Sequence, residues 1–172
     1  MILLISGSLR AGSVNGAVLG TAAGFSEARI YRGLADLPHF NPDDDRDPLP
    51  AEVAALRLLL GAAEAVLFCT PEYAGGLPGS FKNLLDWTIG GGELDGKPVA
   101  WINASSVAAP TGGADAHASL RKTLGYAGAR IIDEACVRIP VSRAVVADGR
   151  VTDPDLGGRI AVVVRRLVEA SR

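Results

Sequence analysis

The segment Ile2-Leu3-Leu4-Ile5 is a short, unbroken apolar run that stops at Ser6-Gly7-Ser8. A strand with one wet face alternates apolar and polar side chains. A run that is apolar at every position therefore suits a strand buried on both faces, as at the centre of a parallel sheet. Such a strand needs helices above and below it. Helical spacing of apolar residues covers 14–25, 52–63, 79–88, 115–126 and 155–170, and further strand-like runs cover 28–31, 65–69, 99–102 and 131–139. The Pro- and Asp-rich stretch 34–50 reads as a long loop. The alternation predicts an α/β doubly wound five-stranded parallel sheet, formed as a single domain over residues 1–172. Right-handed crossovers leave few topologies. The strand order 2-1-3-4-5 places the ligand cleft beyond the carboxyl ends of strands 1 and 3.

The loops after those strands have unusual chemistry. Gly7-Ser8-Leu9-Arg10-Ala11-Gly12-Ser13-Val14-Asn15 offers hydroxyls, an amide, a guanidinium and two glycines, and contains no carboxylate. It opens a helix whose first N–H groups lack partners and whose dipole favours an anion. Ser13 is the expected N-cap, and Arg10 can present a forked pair of donors to phosphate oxygens. The competing reading is a capped turn serving only its own backbone. The loop lacks the G-x-G-x-x-G and G-x-x-x-x-G-K-[ST] patterns of dinucleotide and triphosphate sites. It also lacks a cysteine for thiol-dependent phosphatase chemistry.

After strand 3, Thr70-Pro71-Glu72-Tyr73-Ala74-Gly75-Gly76-Leu77-Pro78-Gly79 combines stiff prolines, permissive glycines and one aromatic ring. Backbone held in defined turns lets a flat ligand approach closely. A rigid turn without a ligand is the alternative. The following helix carries Lys82 and Asp86 at ion-pair spacing and ends in Trp87, which suits either the core or a subunit contact.

Composition removes several function classes. Lys and Arg number 17 against 19 Asp and Glu, and no basic run offers phosphate contacts to nucleic acid. Asp43-Asp44-Asp45 reads as a solvated loop in preference to a metal site. Two isolated cysteines, Cys69 and Cys136, make neither a disulfide framework nor a metal set, and buried, reduced thiols are expected. No run reaches the roughly 20 apolar residues of a membrane helix, and the first apolar run is too short for a secretory signal. A cytoplasmic protein is the expectation. His39 and His117 lie far apart in sequence, His117 reads as a surface residue, and no Ser/His/Asp or metal-ligand pattern is evident.

Gly7-Ser8-Leu9-Arg10, Ser13, Asn15, Pro71-Glu72-Tyr73, Pro78-Gly79, Lys82-Asn83 and Asp86-Trp87 together resemble the NAD(P)H-dependent FMN reductases, a family that includes azo, quinone and chromate reductases. The resemblance runs in order from residue 1 to about 130. It implies a flavodoxin-like fold, non-covalent FMN, NADPH or NADH as donor, a small-molecule acceptor, and a homodimer or homotetramer. It assigns the FMN phosphate to Ser8, Arg10, Ser13, Val14 and Asn15, and the isoalloxazine ring to Pro71, Glu72, Tyr73, Ala74 and Gly75. In the loop over 104–113 it points to Ser105, with Ser106 next. Two departures stand out. Family members often have Asn where this chain has Ala74, and the loop after strand 4 matches loosely.

The flavin would supply the difficult chemistry while the protein supplies position and electrostatics. A ping-pong cycle through an open flavin face requires no dedicated catalytic acid. His117 in contact with the nicotinamide nucleotide is the less favoured reading of that residue. The rival functions are a flavin-binding electron carrier without reductase activity and a flavin-free scaffold.

Overall fold

The computed structural model describes residues 1–105 and 111–172. Its parallel sheet takes the order β2-β1-β3-β4-β5 from strands β1 (Ile2–Ser6), β2 (Ala28–Tyr31), β3 (Ala65–Cys69), β4 (Pro98–Asn103) and β5 (Arg130–Ile131). Residues in β1, β3 and β4 face alternate sides, and both sides are buried. Leu3, Ile5, Val66, Phe68, Val99 and Trp101 pack under Leu56 and Leu60 of α2 (Ala51–Ala62), Leu84 of α3 (Gly79–Asp86) and Leu120 and Leu124 of α4 (Ala114–Tyr126). Ile2, Leu4, Leu67, Ala100 and Ile102 pack under Val18 and Leu19 of α1 (Val14–Ala22) and Ile160, Val163 and Leu167 of α5 (Pro154–Ala170).

The expected last strand over 131–139 is interrupted. β5 and β6 (Val137–Arg138) both pair in parallel with β4, separated by a 3-10 turn at Asp133–Ala135. Between Val99↔Ile131 and Ile102↔Val137, β4 advances three residues while its partner advances six, so the turn accommodates the excess. The charges of Asp133 and Glu134 are thereby kept out of the ladder. Helix α1 ends at Ala22, short of Phe25, because the chain turns at Gly24; Phe25 is left exposed. At the other end of the chain, Asp153 caps α5 by accepting from the N–H groups of Asp155 and Leu156, with Pro154 in the first turn.

A hairpin absent from the sequence reading joins β7 (Val146–Ala147) to β8 (Arg150–Val151) through Asp148 and Gly149, both at positive φ. Asp-Gly between short apolar segments is a two-residue turn signal. The hairpin lies against α1. The Val151 N–H donates to Thr21 Oγ1 at 2.8 Å, and a Cβ on Gly20 would stand 2.3 Å from the Gly149 carbonyl oxygen.

The acidic loop is more structured than expected. Asp43 and Asp44 are exposed, whereas Asp45 accepts from Arg57 Nη2 at 2.6 Å. Arg57 also donates to the Trp87 carbonyl and lies 3.7 Å from Glu93. Removing one member of a largely desolvated ion-pair network leaves the others unpaired. Arg57→Ala is expected to lower the unfolding free energy by about 3 kcal/mol, read from urea unfolding at neutral pH.

Candidate functional site

Parallel pairing of β1 with β3 extends to Ser6↔Cys69, so the loops after these strands leave the sheet side by side. The Gly7 N–H donates to the Cys69 carbonyl at 2.8 Å. A Cβ on Gly7 would stand 2.5 Å from Thr70 Oγ1 and 2.9 Å from the Phe81 ring, so only glycine allows this approach.

Within the first loop, Ser6 Oγ accepts from Ser8 N–H at 3.2 Å and Ser8 Oγ accepts from Arg10 N–H at 3.3 Å. Ser13 caps α1 as expected, accepting from Gly16 N–H at 2.9 Å, and no acidic residue lies in the first turn. Among the described residues, the N–H groups of Leu9, Ala11, Gly12, Val14 and Asn15 have no recorded partner, and neither does the exposed Arg10 guanidinium. Val14 packs its side chain against the core, leaving its backbone available. Asn15 is buried, and its side-chain oxygen accepts from the Cys69 thiol at 3.3 Å, which leaves the amide NH₂ as its donor end. Unpartnered donors, a free cation and a carboxylate-free loop fit the phosphate end of a flavin nucleotide.

A cavity of about 550 Å³ opens over this loop. It lies on the β2 side, where Tyr31, Arg32 and Leu34 meet the hairpin residues Val146, Asp148 and Gly149. The sequence places the cleft beyond strands 1 and 3, but none of residues 71–75 lines this cavity. The long loop after β2 and the hairpin wall the β2 side instead. Asp148 brings to the rim a carboxylate that the loop itself lacks.

On the β3 side, Tyr73 and Gly76 exchange backbone hydrogen bonds of 3.0 and 3.1 Å around Ala74 (φ 49°) and Gly75 (φ 72°). Both central residues are left-handed, the pattern of a type I′ turn in which Asn and Gly are at ease and Ala is strained. The turn holds the Tyr73 ring 49% exposed. Glu72 is turned elsewhere. Its carboxylate accepts from Thr111 Oγ1 and, at 2.9 Å, from Ala116 N–H at the start of α4. Gly113, the N-cap of α4, has no side chain with which to cap, and Glu72 supplies that function from another loop. The Thr111 hydroxyl bond, with the α4 N–H groups and nearby His117 behind it, holds the Glu72 carboxyl below the usual range against its desolvation.

Ser105 donates its N–H to Asn103 Oδ1 at 2.9 Å, at the foot of the loop after β4, and Asn103 Nδ2 is buried without a partner among the described residues. Ser106 lies outside the described residues. Other residues of the family resemblance have structural work. Asn83 and Trp87 both donate to the Pro38 carbonyl at 2.9 Å, and Asn83 accepts from Phe40 N–H, fixing the long loop to α3. Lys82 and Asp86 form an exposed ion pair. Cys69 is buried as expected, while Cys136 is half-buried and donates to the Ile132 carbonyl. Among the described residues, no group of three or more His, Cys, Asp or Glu is arranged for a metal ion.

His117 departs from the surface reading. It is half-buried, set edge-on to Trp101 with ring centroids 5.6 Å apart, and its Nε2 is buried without a partner among the described residues. Burial, reinforced by Arg138 and Arg121, lowers its pKa from 6.5 to about 4. Between these values the unfolded chain binds more protons, so stability falls as pH drops from 6.5 toward 4 and levels off below. His117→Phe should remove about 1 kcal/mol of that loss, measured by urea unfolding at neutral and acid pH; partial exposure discounts the full shift. The strained turn gives a second expectation. Ala74→Gly should raise stability at neutral pH by about 1 kcal/mol in the same assay.

The family model described as NADPH-dependent FMN reductase matches residues 1–142. The NAD(P)H-dependent FMN reductase of Pseudomonas aeruginosa is 37% identical over 158 residues, covering 88% of this chain and 84% of its own length. The quinone reductase of Escherichia coli K12 is 34% identical over 140 residues, covering 77% and 73%. FerB, a flavoenzyme NAD(P)H:(acceptor) oxidoreductase from Paracoccus denitrificans, superposes with a TM-score of 0.81 at 30% identity over 98% of this chain and 97% of its own. The chain thus belongs to the NADPH-dependent FMN reductase family: it is an oxidoreductase of the flavodoxin-like fold whose cofactors are those of the family, FMN and NAD(P)H.

Proposed function

We propose that the loop from Ser8 to Asn15 holds the FMN phosphate and that the turn at Pro71, Tyr73, Ala74 and Gly75, together with Ser105, bears on the isoalloxazine ring. Reducing equivalents then pass from NADPH or NADH to a small acceptor such as a quinone, azo compound, chromate or free flavin. The observation that carries this reading is the set of donors at the start of α1 that have no partner among the described residues, with Arg10 likewise unpaired beside them. Quinone reductase and azoreductase relatives support a small-molecule acceptor.

Bound FMN supplies the two-electron chemistry, and the chain's own residues bind, orient and leave a face accessible. Arg10 would balance the phosphate charge, and Ser8 with the N–H groups of Val14 and Asn15 would donate hydrogen bonds to its oxygens. Ser13 sets the direction of the first helical turn. Glu72 ties the ring-bearing turn to α4, which makes it a positioning residue. The exposed flank at Tyr73 lets donor and acceptor take turns, a ping-pong order.

No helix is long and apolar enough to cross a membrane among the described residues. With two free cysteines, a cytoplasmic setting suits the chain. The α3–α4 face, where Ile89 is 45% and Tyr126 79% exposed, is the surface we assign to a homodimer or homotetramer.

NADPH and NADH oxidation with added FMN, measured at several fixed quinone concentrations, tests the function. Parallel double-reciprocal lines are expected; absence of turnover with every acceptor would overturn this reading. Arg10→Ala removes charge-assisted hydrogen bonds and should weaken FMN binding by roughly tenfold or more, read by fluorescence titration of the apoprotein.

A further inference from the structure

The phosphate loop receives a second guanidinium from far along the chain. Arg143 Nη2 donates to the Gly12 carbonyl at 2.9 Å, across 131 residues of sequence. Arg143 lies one position past the segment that matches the family model, at the start of the turn leading into the β7–β8 hairpin. Among the described residues, neither Arg143 nor Arg10 is paired with a carboxylate, so both charges are available to the loop.

The Gly12 carbonyl and the Ser13 N–H belong to one rigid peptide plane. Arg143 holds the carbonyl end, and the Arg10 carbonyl holds the other end by accepting from Ser13 N–H at 3.2 Å. Gly12 sits at φ 62°, a conformation from which a glycine is free to rotate if nothing fixes it. With the plane fixed, Ser13 is set as the cap of α1, and the Val14 and Asn15 N–H groups take one direction. Fixing the carbonyl on Arg143 also directs its partial negative charge into a cation and away from an incoming anion. The hairpin secures the segment that bears Arg143: Val151 bonds Thr21, and Gly149 packs onto Gly20.

We infer that Arg143 is a positioning residue for the cofactor phosphate, pinning the Gly12–Ser13 peptide and adding positive potential that selects phosphorylated flavin over unphosphorylated flavin. The inference rests on the phosphate assignment made above. Its effect is smaller than that of a direct contact, because Arg143 acts through the backbone and is solvent-exposed.

The test is titration of apoprotein with FMN and with riboflavin, which share the ring and differ in the phosphate. Wild-type protein should prefer FMN. In Arg143→Ala, FMN affinity should fall about three- to tenfold, riboflavin affinity should stay the same, and Arg143→Lys should recover part of the loss. A structural defect in the hairpin would weaken both flavins alike, and that outcome, or an unchanged FMN-to-riboflavin ratio in Arg143→Ala, overturns the inference. Thr21→Val, which loosens the hairpin without altering charge, separates the two if Arg143→Ala folds poorly: it should leave the ratio unchanged, and a fall in its ratio equal to that of Arg143→Ala also overturns the inference. A wild-type protein that binds riboflavin as tightly as FMN would instead overturn the phosphate assignment itself.

Discussion

The close approach of the loops after β1 and β3 is the contact on which the site depends. Gly7 gives its N–H to Cys69 and leaves no Cβ to meet Thr70. A side chain there would push the two loops apart and separate the helix N-terminus from the Tyr73 turn. The contact follows from the parallel register of β1 and β3, itself a consequence of two strands apolar on both faces. Core, register and site are therefore linked by one backbone hydrogen bond and one missing methyl group.

From that junction the two loops are stiffened by different means. The first is organised by its own hydroxyls, with Ser6, Ser8 and Ser13 each accepting from a backbone N–H a few residues on. The second is braced by Glu72, whose charge lies at the positive end of α4 and whose oxygens reach Thr111 and Ala116. Orienting this carboxylate toward a helix removes one negative group that would oppose a phosphate, while Asp148 stays at the rim of the cavity. The long loop after β2 is fixed independently through Asn83, Trp87 and Arg57.

Much of this was legible in the sequence because it depends on local chemistry. Apolar runs marked the central strands, periodicity marked the helices, and Ser13 was identifiable as a cap from its place before an apolar period. The family resemblance was likewise carried by short motifs at the two loops. Long-range partnerships were not legible. Nothing local says that Glu72 turns toward α4, that Asp45 leaves its acidic neighbours for Arg57, or that Arg143 meets Gly12. His117 read as a surface residue because a helix face is ambiguous near its first turn, and only the sheet shows that Trp101 lies beneath it. The break between β5 and β6 escaped for the opposite reason, since local propensity favoured one strand. The hairpin is marked only by Asp148-Gly149, because strands of two residues each carry no periodicity of their own.

The most direct measurement is a crystal structure of the protein with FMN bound. The phosphate oxygens should lie within hydrogen-bonding distance of the Arg10 guanidinium and of backbone N–H groups between residues 9 and 15, with the ring beside the turn at residues 73–75. A phosphate bound away from the start of α1, with those N–H groups left to solvent, would contradict the central claim.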